Sequence, residues 1–223
     1  MKKILVIVAH PDDEILGCGG TIAKYVKKGS SVNVLFLSDG EMSRLSTRNN
    51  KKILYRKKCA LKAMKCLGVK NSYFEDLPDN SFDTTGMLNI VKRIEKYIKK
   101  INPNTILTHH YDDLNIDHQI TSKAVITACR PRLNNSVNLI LFFEILSSTE
   151  WNISSKKQSF RPNWFEDISE YINIKIRAIK CYPKELRKTP HSRSLNTIKA
   201  LSVFRGSCAG LKYAEGFELG RKI

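Results

Sequence analysis

No stretch of the 223-residue chain approaches the roughly 20 consecutive apolar residues that a membrane-spanning helix requires. The apolar run near the start, Ile4 to Ala9 in MKKILVIVAHPDDE, gives way to charge at once. A secretory leader would carry about 7–15 apolar residues and a small-residue cleavage site. The opening therefore reads as a first β-strand of a cytoplasmic protein. There is also no CxxC pair. The six cysteines, Cys18, Cys59, Cys66, Cys129, Cys181 and Cys208, are scattered, which speaks against a disulfide framework or a cysteine-bound zinc site. Acidic residues are the minority, 21 against 38 basic, for a net charge of +17. Yet no arginine-rich tail is present, and the lysines fall in dispersed pairs such as Lys27-Lys28 and Lys99-Lys100. That pattern reads as a solvated surface rather than a nucleic-acid patch. It leaves room for peripheral membrane contact and for a homo-oligomer. Internal repeats, low-complexity tracts and linkers are missing as well.

What is there alternates between strand and helix signals. Lys3–Ala9 and Ser31–Leu37 read as strands, with a helix from Asp13 to about Lys28 between them, closed by Gly29. A polar loop from Ser38 to Asn50 follows. Then come a helix over Lys51–Leu67 ended by Gly68, a short strand at Ser72–Phe74, and a helix over Met87–Ile101 stopped by Asn102-Pro103. Thr105–His109 and Val137–Phe143 are further strands, with a helix starting near Asp117 between them. Repeated units of this length predict an α/β fold: a single-domain, Rossmann-like, mainly parallel sheet with helices on both faces. The domain is read as 1–223, with a core of about 1–145 and a helical and loop cap of about 146–223. In the cap, one helix is expected from about Glu170 to Cys181 and another from Ser192 or Ser194.

Two clusters carry chemistry. His10-Pro11-Asp12-Asp13-Glu14 ends the first strand, and HHYDDLNIDH, residues 109–118, ends a later one. Ligands of open α/β sheets sit beyond the carboxyl ends of the strands, so both clusters should open onto one face. Three successive carboxylates repel one another unless something positive lies among them. His10 and Asp13 are spaced to converge on one ion across a strand-to-helix turn, and His118 is the natural third ligand. Three protein ligands plus water is the pattern of a catalytic zinc site, and the same mixed donors also suit iron. Asp12, beside the metal but not bound to it, is positioned to act as base in hydrolysis of an amide or ester. The plainer alternatives are that Asp13 only caps a helix and that a strand-end histidine is structural. Gly17-Cys18-Gly19-Gly20 raises a rival, a dinucleotide-binding turn. The intervening acidic cluster would repel a pyrophosphate, so these glycines are read as allowing close helix packing.

At these residues the sequence resembles a known family. AHPDDEILGCGGTIAKY with the downstream DLNIDH is similar to the PIG-L/LmbE superfamily of N-acetylglucosaminyl deacetylase-like proteins, zinc-dependent enzymes that remove acyl groups, usually acetyl, from amino sugars. Gly40-Glu41, Arg56 with Ala63 and Leu67-Gly68, FEILSSTEW, RPNWFEDIS, PHSRS and FRGSCAGLKYAEGFEL extend the likeness over nearly the whole chain. The resemblance implies His10, Asp13 and His118 as Zn2+ ligands and Asp12 as the base that later protonates the leaving amine. It implies Asp117 as a support behind the ligands and Arg56 as a substrate contact, with His191 either lining the pocket or a surface histidine. Trp151 is a further candidate for stacking on a sugar, or else anchors a loop.

Two departures stand out. Many members have His-Pro-Asp-His where this chain has Asn115-Ile116-Asp117-His118, and their first histidine polarises the carbonyl or stabilises the oxyanion. Asn115 can donate a hydrogen bond there but cannot carry a proton. Otherwise His109 or His110 stands in. Cys59 replaces a glutamate common in the second helix, at a position read as structural. The expected activity is removal of an N-acyl group from an amino sugar or sugar conjugate. The alternatives are an amidase acting on another amide and a non-catalytic metal- or sugar-binding protein.

Overall fold

The computed structural model describes residues 2–40, 50–133, 136–153 and 159–223. Glu41 and most of the loop expected after the second strand lie outside the described residues. In chain order the elements are β1 (Lys3–Val8), α1 (Asp13–Lys27), β2 (Ser31–Ser38), α2 (Asn50–Leu67), β3 (Asn71–Leu77), α3 (Met87–Ile101), β4 (Thr105–His109), α4 (Ile116–Ala128), β5 (Leu139–Phe143), β6 (Trp164–Asp167), α5 (Ile172–Ile179), α6 (Leu195–Ser207) and β7 (Ala214–Lys222). One sheet takes them in the order β3-β2-β1-β4-β5-β7-β6. The first five strands pair in parallel, and β7 runs antiparallel to both β5 and β6.

The unbroken apolar run of β1 has a direct cause. Ile4, Val6 and Val8 face one core, which buries α1, α2 and α5 against the sheet. Leu5, Ile7 and Ala9 face the other, with α3 and α4. A strand covered on both faces has no reason to alternate. The helix ends fall close to where the sequence puts them. α3 stops at Asn102, which takes a left-handed φ of 51° before Pro103. Ser194 caps α6 by accepting from Thr197 N.

The structure departs from the sequence expectation after residue 145. The C-terminal third supplies two helices, as expected, but also β6 and β7, which extend the sheet. Neither strand has a readable pattern. β6 is four residues, WFED, and β7 reads AEGFELGRK, with a buried glutamate near its start. Glu215 is tolerated inside because Lys175 of α5 donates to it at 2.7 Å. The same pair repairs a kink in α1, where Cys18 leaves helical geometry. Lys175 Nζ donates to the carbonyl of Leu16 at 2.9 Å, and Glu215 accepts from Gly20 N and Thr21 N at 2.9 and 2.7 Å. The helix groups that lose regular partners are thus satisfied from the C-terminal layer.

The glycines of α1 serve close packing. A Cβ at Gly17 would lie 2.3 Å from the Phe143 ring, and one at Gly20 would lie 2.8 Å from Ile168. The C-terminal layer also reaches the end of β1 through a buried pair. Tyr182 donates to Glu14 Oε1 at 2.7 Å, while Asp12 N donates to Glu14 Oε2 at 2.9 Å. Burial dominates there and pushes the Glu14 carboxyl up to about 8.

Two outcomes follow. Gly17→Ala gains up to ~1 kcal/mol of helix propensity. It meets overpacking of about 1–3 kcal/mol against Phe143, so urea denaturation should show a net loss of stability. Glu14 binds its proton more tightly folded than unfolded, where its value is near 4.5. Its contribution is complete below that value and is lost as pH rises toward about 8. In chelator-treated protein, the stability of wild type minus that of Glu14→Gln should therefore fall across this window. A flat difference would contradict the assignment.

Candidate active site and metal centre

The sheet order places its switch point between β1 and β4. The chain leaves β1 toward α1 on one face and leaves β4 toward α4 on the other, so a crevice opens between the two loops. His10 to Asp13 lie on one side of it and Asp113 to His118 on the other. The first loop is wound tightly. His10 N donates to Asp13 Oδ2 at 2.9 Å, and Asp12 takes a left-handed φ of 118°. The second is fixed by Asn115, which caps α4. Its Oδ1 accepts from Asp117 N at 2.8 Å and from His118 N at 3.4 Å.

His10, Asp13 and His118 meet at a buried point. Asp13 Oδ2 lies 3.4 Å from His10 Nδ1 and 3.4 Å from His118 Nε2. One nitrogen or oxygen from each of the three lies within 4.8 Å of the others. Asp13 Oδ1 and both ring nitrogens of His118 are buried without a hydrogen-bond partner. Bare buried polar atoms cost about 1–3 kcal/mol each. Such atoms in a set of two imidazoles and one carboxylate fit a divalent cation with an open position. The opposite edges of both rings face carboxylates. Asp117 Oδ2 lies 2.9 Å from His10 Nε2, and the Asp117 carboxylate is itself set by Asn80 N at 2.6 Å and Phe82 N at 3.0 Å. Asp113 Oδ1 lies 3.1 Å from His118 Nδ1. Placing the protons on those outer nitrogens leaves His10 Nδ1 and His118 Nε2 as lone-pair donors to a metal.

The electrostatics agree with this assignment. Burial opposes charging His118, but Asp13 and Asp113 override it and raise its pKa to about 9. Burial likewise opposes ionising Asp13, and His118 and His10 hold it well below the usual carboxylate range. The carboxylates thus hold protons on the histidines, and a cation entering the site displaces them. Asp12 is in a different situation. Burial raises its pKa, with Arg193 and Arg56 opposing.

A cavity of about 110 Å³ opens on these groups and is lined by His10, Asp12, Arg56, Asn115 and His118 among the residues expected from the sequence. Asp13 and Asp117 stand behind them, buried. Trp151 and His191 are not among the lining residues. They meet edge-to-face at 5.6 Å, and His191 Nδ1 accepts from Arg193 N at 3.0 Å. Larger cavities lie elsewhere, one of about 520 Å³ between Tyr111 and Arg221, but none contains these ligand groups. Neither expected stand-in for the family's histidine reaches the cavity. His109 is fully buried, accepts from Ala9 N at 2.9 Å and stacks on His118 at 4.0 Å. His110 turns to Glu218, 3.0 Å away.

The structure adds residues that sequence reasoning missed. Asp79 and Asn80 line the cavity from the end of β3, and Asp79 Oδ1 lies 3.1 Å from His10 Nε2. The strand-end rule would have found them had β3 been read to its full length. Asp113 lies inside the quoted 109–118 cluster, and burial opposes its ionisation. His118, Ser148 and Thr149 nevertheless lower its pKa to about 2. Ser147, Ser148 and Arg193 also line the cavity.

Diacetylchitobiose deacetylase of Thermococcus kodakarensis is 28% identical over 97% of this chain and 82% of that protein. The structure of N,N'-diacetylchitobiose deacetylase from Pyrococcus horikoshii, complexed with its inhibitor MPG, superposes with a TM-score of 0.79 at 22% identity, covering 99% of this chain and 84% of that one. The 4-carboxy-2-hydroxymuconate hydratase GalB from Pseudomonas putida has a TM-score of 0.77 at 22% identity, with 100% and 98% covered, so the fold alone does not select one reaction. The sequence model of the family described as PIG-L, GlcNAc-PI de-N-acetylase, matches residues 5–129, more than half of the chain, a span that includes the loops after β1 and β4. The chain belongs to the PIG-L family.

Proposed function

We propose that the protein is a zinc-dependent N-deacetylase that hydrolyses the N-acetyl group of an amino sugar or a sugar conjugate. The observation that carries this reading is the convergence of His10, Asp13 and His118 around unpartnered buried atoms, with the Asp12 carboxylate facing the same small cavity. A zinc ion held by these three residues would supply Lewis acidity, polarising the acyl carbonyl and lowering the pKa of water to about 7. The chain's own groups do the rest. Asp12 takes the proton of the attacking water and returns it to the amine nitrogen as the C–N bond breaks, so acetate and a free amine leave. Asn115 supports the developing oxyanion. Its Oδ1 is committed to two backbone N–H groups, which turns Nδ2 away from the helix. One Nδ2 hydrogen goes to Asn80 Oδ1 at 2.9 Å, and the other is available to the cavity that Asn115 lines. The diacetylchitobiose deacetylase relative supports a sugar substrate.

Acetate release from a panel of N-acetyl sugars and sugar conjugates, together with metal content, tests this reading. About one equivalent of zinc and loss of turnover on chelation are expected. Metal without acetate release from any acylated amine would favour a binding protein. Asp12→Asn should keep the metal and lose roughly 10²–10⁴-fold in kcat. His10→Ala should lose the metal itself. Asn115→Asp keeps the cap acceptor but removes the donor, and should lower kcat by about 10²–10³-fold at little cost in stability. Because His118 must give up a proton held to about pH 9, zinc affinity should rise with pH up to that value. The rise should be at least about tenfold per unit in a competition titration. A pH-independent affinity between pH 6 and 8 would remove His118 from the ligand set.

A further inference from the structure

We infer that Arg193 is the positioning residue that holds the Asp12 carboxylate in its working orientation. This rests on the deacetylase reading, and it places part of the catalytic geometry outside residues 5–129, the segment that the family model matches. Arg193 Nη1 lies 2.7 Å from Asp12 Oδ2, within the range of a strong charge-assisted bond. Arg56 approaches the other oxygen only to 3.3 Å. Its closer contacts are with the Pro11 carbonyl, at 2.9 and 3.2 Å, and with Glu185, at 2.7 Å. The two arginines therefore divide the work. Arg56 secures the main chain before Asp12, and Arg193 secures the carboxylate. Arg193 is itself fixed from three sides. Nε donates to Ser147 Oγ at 2.6 Å, Nη1 reaches Glu185 Oε2 at 3.4 Å, and the backbone N donates to His191 Nδ1 at 3.0 Å. Asp12 needs such an anchor. Its φ of 118° is a region that side chains rarely tolerate, and that conformation persists only when its surroundings over-determine it. Glu14 holds the Asp12 N–H from one side, and Arg193 holds the carboxylate from the other.

Arg193→Gln, Arg193→Lys and Asp12→Asn, each loaded with zinc, decide the matter on a substrate that the wild type turns over. Arg193→Gln should keep its metal and lose roughly 100-fold in kcat, as expected for a misplaced catalytic group, with KM changed less than about threefold. Arg193→Lys, or guanidinium ion added to Arg193→Gln, should recover part of the loss. Wild-type kcat in Arg193→Gln would overturn the inference. So would a rise in KM at unchanged kcat, which marks a substrate contact. Equal loss of metal in both variants without rescue marks a structural residue and overturns it too. A crystal structure of Arg193→Gln tests the same claim without substrate: the Asp12 carboxylate should leave its position, and an unmoved carboxylate would refute the inference. If the wild type hydrolyses no acylated amine, the parent reading fails, and the crystal structure still decides the role of Arg193.

Discussion

The Asp13 carboxylate joins the two loops that part from the sheet at its switch point, and the site depends on that junction. One oxygen accepts the backbone N–H of His10 and faces His10, His118 and, at 3.6 Å, His109. The other has no partner. An ionised carboxylate at 1% exposure is costly unless positive charge lies against it. The histidines supply that charge by holding protons, and a divalent cation supplies more of it at one point. The same need explains why Asp113 and Asp117 sit behind the two rings. Each faces the outer nitrogen of its ring, and the other nitrogen is turned toward Asp13.

The charge of the site is opposite to that of the chain. The chain's 38 basic and 21 acidic residues give a net charge of +17, but the buried groups around the cavity include Asp12, Asp13, Asp79, Asp113, Asp117 and Glu185. The two arginines there, Arg56 and Arg193, are both engaged by carboxylates. The basic composition therefore does not extend into the reaction centre. Carboxylates this close together disfavour a phosphate group in the cavity, whereas the neutral amide of the proposed substrate carries no such penalty.

The convergence of these residues was legible in the sequence because the candidate ligands follow directly on strands. β1 and β4 can be read from their apolar runs, and the rule that ligands gather beyond strand ends then brings His10, Asp13 and His118 to one crevice. The glycines of α1 were legible for a similar reason, since an acidic turn before them excludes a phosphate-binding role and leaves close packing. What could not be read is what depends on distant partners. Arg193 meets Asp12 across 181 residues, and the segment that carries it drew attention to His191 instead. β7 was missed because its buried Glu215 breaks the apolar pattern, and its burial makes sense only once Lys175 is seen beside it. Asn115 was identified as a departure from the family's histidine, but its capping of α4 and its bond to Asn80 appear only in three dimensions.

The C-terminal third is more than a cover. Three of its buried polar contacts press on the same short stretch after β1: Tyr182 on Glu14, Lys175 on the Leu16 carbonyl, and Arg193 on Asp12. Between them they hold a strained residue, a kinked helix and the carboxylate proposed as base. Local sequence alone would relax each of these, since a left-handed aspartate and a broken helix are both unfavourable in isolation. The geometry beyond β1 is therefore a property of the whole sheet, including the antiparallel strands at its far edge. A chain cut after α4 would keep every proposed metal ligand in sequence and lose the Arg193 and Tyr182 contacts with Asp12 and Glu14. In this fold the proposed metal ligands come from the first half, and the contact that Arg193 makes with Asp12 comes from the second.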